Sequence, residues 1–391
     1  MPKVAFLTSG GIAPCLSASI GGLIEKYNEL DPNIQMVGYM HGYRGLLLGK
    51  SVIFSNEVKK NYQVLYGFGG SPIGNSRVKL TNVEDCIKKG FVKEGENPLD
   101  VAAKQLEKDE IDILHTIGGD DTNTMAAALA KHLENSGKSL TVVGLPKTVD
   151  NDVIPVKQTL GAWTAAEQGA RFFQNIVNEN TTSRRQLIIH EVMGRHCGWL
   201  TAGTALEYRK LLDKNEYLPE LFVSKKRWDV HAVYIPEKNI DFKSESVRLR
   251  EIMDENDCVN IFLSEGAGMD TIVREIESRG ESVPRDAFGH VRLDDINPGQ
   301  WFAKQFSEAL DADKTLIQKS GYFARSAKPG SRDLELIKES AFMAAELAIN
   351  GQSGLVGLDE NNSGNLGLID LQLIIGGSVF DSSPPWFAEL L

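Results

Sequence analysis

Short apolar segments recur along this chain, and amphipathic segments lie between them. The apolar segments are rich in Val, Ile and Leu, and most end in Gly, Pro or a small polar residue: KVAFLT, IQMVGYM, IDILHTIGG, LTVVGLP, RQLIIHEVMG and CVNIFLSEGAG. Strands that are buried on both faces of a parallel sheet have this composition. The segment LSASIGGLIEKYNEL places its large apolar residues on one helical stripe, as expected of a helix that packs on such a sheet. The alternation predicts an α/β protein with mainly parallel sheets.

Length, composition and charge restrict the class of function. A chain of 391 residues is long enough for two ordinary domains, and 42% hydrophobic with 24% charged residues is typical of a globular protein. The net charge of −11 argues against nucleic acid or an anionic membrane surface as the main partner. We find no apolar segment long enough to span a bilayer, and the first residues lead directly into a strand pattern rather than a signal peptide.

The metal-binding residue types show no zinc-type spacing. The four cysteines, Cys15, Cys86, Cys197 and Cys258, are scattered without a CxxC pair, and the seven histidines show no HExxH spacing. This predicts a reduced, cytoplasmic protein without a zinc site or a disulfide framework. Any metal site is therefore expected to use carboxylates.

Two glycine-rich segments follow predicted strands, where ligands bind in open α/β sheets. The first, LTSGGIAPC, contains Gly11 and opens a helix, so it is either a structural turn or a loop that binds a phosphate. It lacks the GxGxxG and GxxxxGK[ST] patterns, which disfavours a dinucleotide oxidoreductase and a P-loop protein. The second, GFGGSPIGNSRVKL, carries Arg77 and Lys79, which are either solvated cations on a turn or phosphate ligands.

The segment IGGDDTNT places Asp120 and Asp121 after Gly119, at the predicted start of a helix. One Asp at a helix start is commonly a cap, but two adjacent carboxylates repel each other and favour a nearby cation. Mg²⁺ prefers carboxylate and phosphate oxygens and needs only one or two protein acids. Thr122 and Asn123 are then expected to cap the helix and to donate amides.

The segment LPKTVDND follows another buried strand and contains Lys147, Thr148, Asp150 and Asp152. It is either an ordinary turn, since Asp and Asn favour turns, or part of a catalytic site. Phosphoryl transfer to an alcohol needs positive charge on the phosphates and a base at the attacking hydroxyl. This segment supplies both.

Three further segments carry polar residues after strands, and each is a weak signal alone. HEVMGRHCGWL contains an arginine that is either a surface residue or a ligand, LSEGAG a glutamate suited to a sugar hydroxyl, and KSGYFARSAKPGSR residues suited to a phosphate monoester. The candidates are Met193, Gly194, Arg195, Glu265, Lys319, Tyr322 and Arg325.

In their order and spacing these segments resemble the phosphofructokinase family over nearly the whole chain. The shared elements are TSGG, GGxxxGxxR over 69–77, GGDD, PKTVDND, MGR, EGA and GYxxR. The resemblance implies two similar three-layer α/β domains: a phosphoryl-donor domain over 1–161, rejoined by part of 327–391, and a sugar-phosphate domain over 162–326. It also implies a homodimer or homotetramer.

The resemblance assigns each candidate a role in transferring a phosphoryl group from a Mg²⁺-bound donor to the 1-hydroxyl of fructose 6-phosphate. Asp150 corresponds to the general base, Asp152 supports it, and Thr148 contacts the substrate or the transferred group. Asp120 corresponds to the Mg²⁺-linked aspartate, and Arg77 to the arginine that bridges toward the transferred phosphoryl group. Gly11, Gly119, Asp121, Lys147 and Lys79 are assigned to the donor, and Met193, Gly194, Arg195, Glu265, Lys319, Tyr322 and Arg325 to the sugar phosphate.

Two positions indicate the pyrophosphate-using branch of the family. ATP-using members have glycine where this chain has Asp121 and Lys147. A carboxylate at 121 would repel the α-phosphate of a nucleotide, whereas Lys147 would pair with pyrophosphate. The alternatives are ATP as donor, sedoheptulose 7-phosphate as acceptor, or an inactive regulator that binds a phosphosugar.

Two departures from the family pattern remain. Gln186 stands where an arginine that reaches across subunits is expected, with Arg184 and Arg185 beside it. Lys314 and Lys319 lie where an arginine is expected near the sugar phosphate.

Overall fold

A computed structural model of the chain describes residues 2–284 and 292–390. Strands and helices alternate along the sequence. The strands are β1 (Lys3–Thr8), β2 (Gln35–Tyr39), β3 (Ser51–Ile53), β4 (Ile113–Gly118), β5 (Thr141–Pro146), β6 (Val153–Ile154), β7 (Gln186–Val192), β8 (Ala232–Tyr234), β9 (Cys258–Ser264), β10 (Lys314–Lys319), β11 (Gly354–Asp359), β12 (Asn365–Ile369) and β13 (Ile375–Gly376).

The helices lie between these strands. They are α1 (Leu16–Leu30), α2 (Tyr43–Leu47), α3 (Asn56–Lys60), α4 (Val83–Lys88), α5 (Pro98–Lys108), α6 (Asp120–Asn135), α7 (Ala162–Ile176), α8 (Trp199–Leu212), α9 (Lys225–Trp228), α10 (Phe242–Asn256), α11 (Met269–Ser278), α12 (Leu293–Ile296), α13 (Pro298–Ala309), α14 (Gly321–Arg325), α15 (Ser331–Ile349) and α16 (Pro385–Ala388). Short 3₁₀ helices cover Tyr62–Gly67, Val177–Thr181, Glu360–Asn362 and Leu371–Leu373.

The chain divides into two compact units. Unit 1 contains Met1–Thr164 and Arg325–Ser378, and unit 2 contains Ala165–Ala324 and Val379–Leu391. The boundaries expected from the sequence lie after residues 161 and 326, with part of 327–391 in the first domain.

Unit 1 is built on a mainly parallel sheet, which has seven strands among the described residues in the order β12-β11-β5-β4-β1-β2-β3. The edge strands β3 and β12 are antiparallel to their neighbours. β1, β4 and β5 are parallel and end level with one another, because Thr8 pairs with Ile117 and Gly118 pairs with Pro146. The loops that follow these three strands therefore lie side by side at one edge of the sheet.

The core of unit 1 follows from the two-residue period of its strands, since alternate side chains point to opposite faces. On one face, Ala5 and Leu7 of β1 join a buried cluster with Leu106 of α5 and Met125 of α6. The helices α1 and α15 pack closely together, and an ideal Cβ on Gly22 would lie 2.9 Å from the Cβ of Ala341.

Unit 2 contains a parallel sheet in the order β10-β7-β9-β8. Both faces are covered, because Ile188 packs with Phe173 and Tyr208 while its neighbours on β7, Leu187 and Ile189, pack with residues of α10 and α13. A strand that is buried on both faces appears in the sequence as a continuous apolar run.

The predicted fold class is confirmed. The six apolar segments contain β1, β2, β4, β5, β7 and β9, and LSASIGGLIEKYNEL is the helix α1. Among residues 2–284 and 292–390, no helix combines the length and apolar character that a membrane crossing requires.

Candidate active site

The two glycine-rich loops of unit 1 are bonded to each other. Gly10 follows β1 with a φ of 88°, a left-handed conformation that favours glycine. Its amide donates to the carbonyl of Ser76 at 2.9 Å, and the Ser9 hydroxyl donates to the same oxygen at 3.0 Å. These bonds bring Arg77, the next residue, to the first loop. Its guanidinium Nη2 lies 3.8 Å from the position that a Cβ on Gly11 would occupy.

The helix α6 begins at the end of β4 with the two adjacent aspartates in its first turn. Asp121 forms an ion pair with Lys79, with 2.6 Å between Oδ2 and Nζ, and both side chains are partly accessible to solvent. The pair explains how Asp121 is tolerated beside Asp120. It also means that Lys79 reaches the start of α6, as its assignment to the donor requires.

The expected capping of α6 by Thr122 and Asn123 is wrong. The residue at the N-cap is Gly119, and no side chain caps the helix. The Asn123 amide donates to the carbonyls of Gly118 and Gly119, at 2.9 and 2.8 Å, and its oxygen accepts from Thr116 at 2.8 Å. Because Asn123 is buried and points back to β4, it fixes the glycine pair instead of donating to a ligand.

Lys147 follows β5 and is buried, with 3% of its surface exposed. Its ammonium donates to the carbonyl of Gly11 at 2.7 Å, and its backbone amide donates to Gly118 at 2.8 Å. Burial lowers the pKa of Lys147 to about 8 and the charge of Arg77 lowers it too, whereas the carboxylates of Asp150 and Asp152 oppose the shift. The carbonyl of Gly11 leaves two of the three ammonium protons for other acceptors.

The segment after Lys147 forms a turn that is fixed by its own side chains. The Thr148 hydroxyl accepts from the amide of Asp150 and donates to Oδ1 of Asp152, both at 3.1 Å. Asn151 has a φ of 54°, and its oxygen accepts from the amide and the hydroxyl of Thr159 at 2.7 and 3.0 Å. The turn interpretation therefore holds for Asn151, which holds the segment in place between the two aspartates.

The carboxylate of Asp120 acts electrostatically on the carboxyl of Asp152. Burial raises the pKa of the Asp152 carboxyl and the charge of Asp120 raises it further, whereas the Thr148 hydroxyl and Lys147 lower it. Two neighbouring carboxylates and a lysine suit a cation that is also bound by a phosphate group. Among residues 2–284 and 292–390, no cluster of three or more His, Cys, Asp or Glu is arranged to hold a metal ion. A metal here would rely on phosphate oxygens and water as its other ligands.

In unit 2, the segments MGR and EGA interlock at the ends of β7 and β9. Gly194 has a φ of 134°. Its carbonyl oxygen accepts two hydrogen bonds, from the Ser264 hydroxyl at 2.5 Å and from the amide of Gly266 at 3.3 Å. The Gly194 amide donates to Oε1 of Glu265 at 3.5 Å. A Cβ on Gly266 would lie 1.8 Å from the carbonyl oxygen of Arg195, so only glycine fits there. These contacts place Met193, Gly194, Arg195 and Glu265 in one cluster.

The strand β10 brings Lys319 and Tyr322 to the same sheet edge. Lys319 forms an ion pair with Glu191 at 2.8 Å, and Glu191 is only 5% exposed and also accepts from the amide of Gly299 at 3.0 Å. Tyr322 is 78% exposed. Arg325, the last residue of α14, is half-buried and begins the second segment of unit 1.

Glu191, which is not among the residues predicted from the sequence, shapes this architecture, and so does Asn123 through partners other than those of the predicted cap. The signal for Glu191 was a charged residue inside the apolar run RQLIIHEVMG, which requires a partner when the strand is buried. The hydrogen bonds of Asn123 have no comparable sequence signal, because Asn at a helix start favours capping.

The structure combines an α/β fold with two bonded glycine-rich loops, a buried lysine and aspartates at the ends of parallel strands. The chain matches the model of the family described as Phosphofructokinase over residues 3–348. The chain belongs to this family.

Individual relatives match over almost their whole length. A pyrophosphate–fructose 6-phosphate 1-phosphotransferase of Methylotuvimicrobium alcaliphilum is 58% identical over 389 residues, which cover 100% of this chain and 95% of that protein. The protein of the same name from Mastigamoeba balamuthi is 55% identical over 388 residues, covering 99% of this chain and 95% of that protein. A solved pyrophosphate-dependent phosphofructokinase from Marinobacter aquaeolei shares the fold, with a TM-score of 0.73 and 19% identity over 100% of this chain and 91% of that one.

Proposed function

We propose that this protein transfers a phosphoryl group from pyrophosphate to the 1-hydroxyl of fructose 6-phosphate, which yields fructose 1,6-bisphosphate and phosphate. The observation that carries the proposal is the buried Lys147, whose ammonium lies on the Gly11 carbonyl between the first glycine loop and the aspartate turn. A buried cation at this position needs an anionic ligand that enters the loops, and pyrophosphate has the required size and charge.

The choice of donor follows from Lys147 and Asp121 together. Pyrophosphate brings no base or ribose, so its binding energy must come from charge and hydrogen bonds. Lys147 supplies a preset charge, and Arg77 lies beside the same loop. Asp121, paired with Lys79, presents a carboxylate where the α-phosphate of a nucleotide would lie in the family's ATP users. The repulsion disfavours ATP and leaves pyrophosphate as the donor.

A divalent metal fits the donor loops, and members of this family use one. We expect Mg²⁺, with Asp120 and the adjacent Asp152 as the carboxylates nearest to it. The metal would neutralise charge on the phosphates. The protein contributes the orientation of these carboxylates, the position of Lys147 and the glycine loops that admit the phosphates closely.

Asp150 is the proposed general base toward the sugar 1-hydroxyl. Its backbone amide is held by Thr148, and Asn151 fixes the turn on the other side, so its position is preset. A positioned carboxylate that takes a proton contributes roughly 10²–10⁴-fold to the rate, and positioning with charge neutralisation supplies the rest.

The sugar phosphate is assigned to the residues at the carboxyl ends of the unit 2 strands, together with Arg325. Glu265 and the Met193–Arg195 segment would bind sugar hydroxyls, while Tyr322 and Arg325 would bind the 6-phosphate. Lys319 contributes positive charge nearby, but its ammonium already pairs with Glu191. We therefore rank Lys319 below Tyr322 and Arg325 as a phosphate ligand.

No observation favours the alternatives of ATP as donor or of an inactive regulator. A regulator has no need of a positioned aspartate at the acceptor hydroxyl. The same residues would serve sedoheptulose 7-phosphate, so the range of acceptor sugars must be measured by assay.

We further propose that the protein is a cytoplasmic homodimer or homotetramer that acts in glycolysis and gluconeogenesis. We propose that its reaction is reversible, because no nucleotide drives it strongly forward.

The proposal is tested by identifying products in both directions. Purified protein with Mg²⁺, pyrophosphate and fructose 6-phosphate should form fructose 1,6-bisphosphate and phosphate in equal amounts, and the reverse mixture should regenerate pyrophosphate. Replacing fructose 6-phosphate by sedoheptulose 7-phosphate measures the acceptor range. Absence of fructose 1,6-bisphosphate in the forward mixture would contradict the proposal, and a strictly one-way reaction would contradict its reversibility.

A further inference from the structure

The segment 370–378, which follows β12, lies beside the donor loops of unit 1. Leu371 and Ile374 are buried in the same apolar cluster as residues of α6, and this anchors the segment on the unit. The next residues form β13, which pairs antiparallel with β6 directly after the aspartate turn, Gly376 opposite Val153. A part of the chain far from the motifs in sequence thus lies beside the carboxylates.

Gly376 lies against the side chain of Asp120. An ideal Cβ on Gly376 would be 1.8 Å from Oδ2 and 2.3 Å from Cγ of Asp120. Atoms cannot approach so closely, so any side chain at 376 would push the carboxylate into another rotamer. Gly376 is not in the left-handed region, unlike Gly377 with a φ of 84°, so its own backbone conformation does not demand glycine. Glycine is required at 376 because the side chain of Asp120 occupies the space that a Cβ would need.

The same segment also contacts the aspartate turn. The amide of Ser378 donates to the carbonyl of Asp152 at 3.1 Å. Within a few residues, therefore, the segment touches the side chain of Asp120 and the backbone of Asp152. Asp120 and Asp152 both belong to the proposed site for the metal and the phosphates, so this segment contacts that site directly.

We infer that Gly376 is a positioning residue for Asp120: its missing side chain leaves the space in which the carboxylate takes the orientation needed for the metal-bound donor. The inference rests on the proposed function, because it assigns Asp120 to the metal that accompanies pyrophosphate. Gly376 would not touch the substrates, and it acts only through the rotamer of Asp120. A substitution at 376 should therefore weaken the use of Mg²⁺-pyrophosphate while leaving fructose 6-phosphate binding unchanged.

The matched experiment compares Gly376→Ala with Gly367→Ala. Gly367 lies on β12 in the same unit, and a Cβ there would meet only the Asn362 amide, at 4.0 Å. We expect Gly376→Ala to raise the apparent KM for Mg²⁺ and the calorimetric Kd of Mg²⁺-pyrophosphate about 10-fold, with the KM for fructose 6-phosphate within 2-fold of the wild type. We expect Gly367→Ala to change none of these more than about 2-fold. Equal behaviour of the two variants would overturn the inference.

A second pair of variants keeps the inference testable if Gly376→Ala is unstable. The Cβ of Asp120 also lies only 3.0 Å from the ideal Cβ on Gly376, so the whole side chain must be removed to relieve the clash. Asp120→Gly/Gly376→Ala should therefore melt within about 2 °C of Asp120→Gly alone. A destabilisation by Gly376→Ala that persists in the Asp120→Gly background would show that the clash is with other atoms and would overturn the inference. The proposed function fails separately, if the wild-type protein itself makes no fructose 1,6-bisphosphate from pyrophosphate.

Discussion

Lys147 and the aspartate turn of unit 1 are held more firmly than Tyr322 of unit 2, which is assigned to the sugar phosphate. In unit 1, Lys147 is buried on the Gly11 carbonyl and Thr148 ties Asp150 to Asp152. In unit 2, the backbone around Gly194 is fixed, but Tyr322 is 78% exposed. A small donor without a nucleoside offers only phosphate oxygens to recognise, so its site needs charges that are in place beforehand. A sugar phosphate offers hydroxyls and a phosphate, which an exposed side chain can still reach.

The largest effect is expected from Asp150→Asn, which removes the proposed general base from the aspartate turn of unit 1. The variant keeps the volume and the Thr148 contact to its amide but removes the base, so kcat should fall roughly 10²–10⁴-fold. The melting temperature and the KM for fructose 6-phosphate should change little. Asp295→Asn, on α12 in unit 2, controls for loss of one carboxylate. Near-normal turnover of Asp150→Asn would remove it from the role of base.

The next effect is expected from Asp121→Gly/Lys147→Gly, which replaces both residues by those of the family's ATP users. Loss of the Lys147 charge, worth about 1.5–3 kcal/mol in a hydrogen bond to an anion, should lower kcat/KM for pyrophosphate about 10–100-fold. Loss of the Asp121 carboxylate should raise the rate with ATP relative to pyrophosphate.

The control removes the same charges from the surface of unit 1, where Lys89 and Asp85 form an exposed pair at 2.8 Å. Asp85→Ala/Lys89→Ala should leave the ratio of donor rates unchanged, because exposed pairs contribute little. Unchanged pyrophosphate use in Asp121→Gly/Lys147→Gly would show that donor choice does not depend on these two residues.

The strands and the order of the loops could be predicted from the sequence, because both depend on local pattern. Apolar runs that end in threonine, glycine and proline located the ends of β1, β4 and β5. The parallel register of these strands then brings Gly11, Gly119 and Lys147 together. The motif resemblance supplied the roles. What the sequence did not predict depends on contacts between distant residues.

Lys319 and Gly376 illustrate this limit. A lysine near an expected phosphate site was assigned to that phosphate, yet it pairs with the buried Glu191 on the neighbouring strand. The contact of Gly376 with Asp120 requires β13 to pair with β6, and no local pattern in IIGGSV encodes that partner. Side-chain partners of this kind follow from tertiary packing, which one-dimensional periodicity does not contain.

A smaller effect is expected from Tyr322→Phe in unit 2. Loss of one hydroxyl that bonds a phosphate should raise the KM for fructose 6-phosphate about 10-fold, at nearly constant kcat and unchanged melting temperature, since Tyr322 is exposed. Tyr62→Phe, which removes a hydroxyl bonded to Glu25 at 2.9 Å, is the matched control in unit 1 and should leave the KM unchanged. A melting temperature that drops with Tyr322→Phe would contradict the contrast between the two regions.

The smallest effect is a shift in the pH profile. Because burial lowers the pKa of Lys147 to about 8, kcat/KM for pyrophosphate should decline as the pH rises through that value and the ammonium loses its charge. Lys147→Arg keeps its charge, so the decline should move to higher pH. Stability changes with pH in the opposite direction. Between a pH of about 8 and the ordinary pKa of lysine, Lys147 binds fewer protons in the folded protein than in the unfolded chain. Its contribution to the free energy of unfolding therefore increases with pH in that range. An identical decline in both enzymes would assign it to another group.

We propose that the buried Lys147 and the paired carboxylate of Asp121 at the donor loops select pyrophosphate. The most direct measurement compares initial rates with fructose 6-phosphate and Mg²⁺, with pyrophosphate in one set of wells and ATP in the other. We expect turnover with pyrophosphate and little or none with ATP. Turnover with ATP alone would leave the family assignment intact and contradict the role given to Lys147 and Asp121.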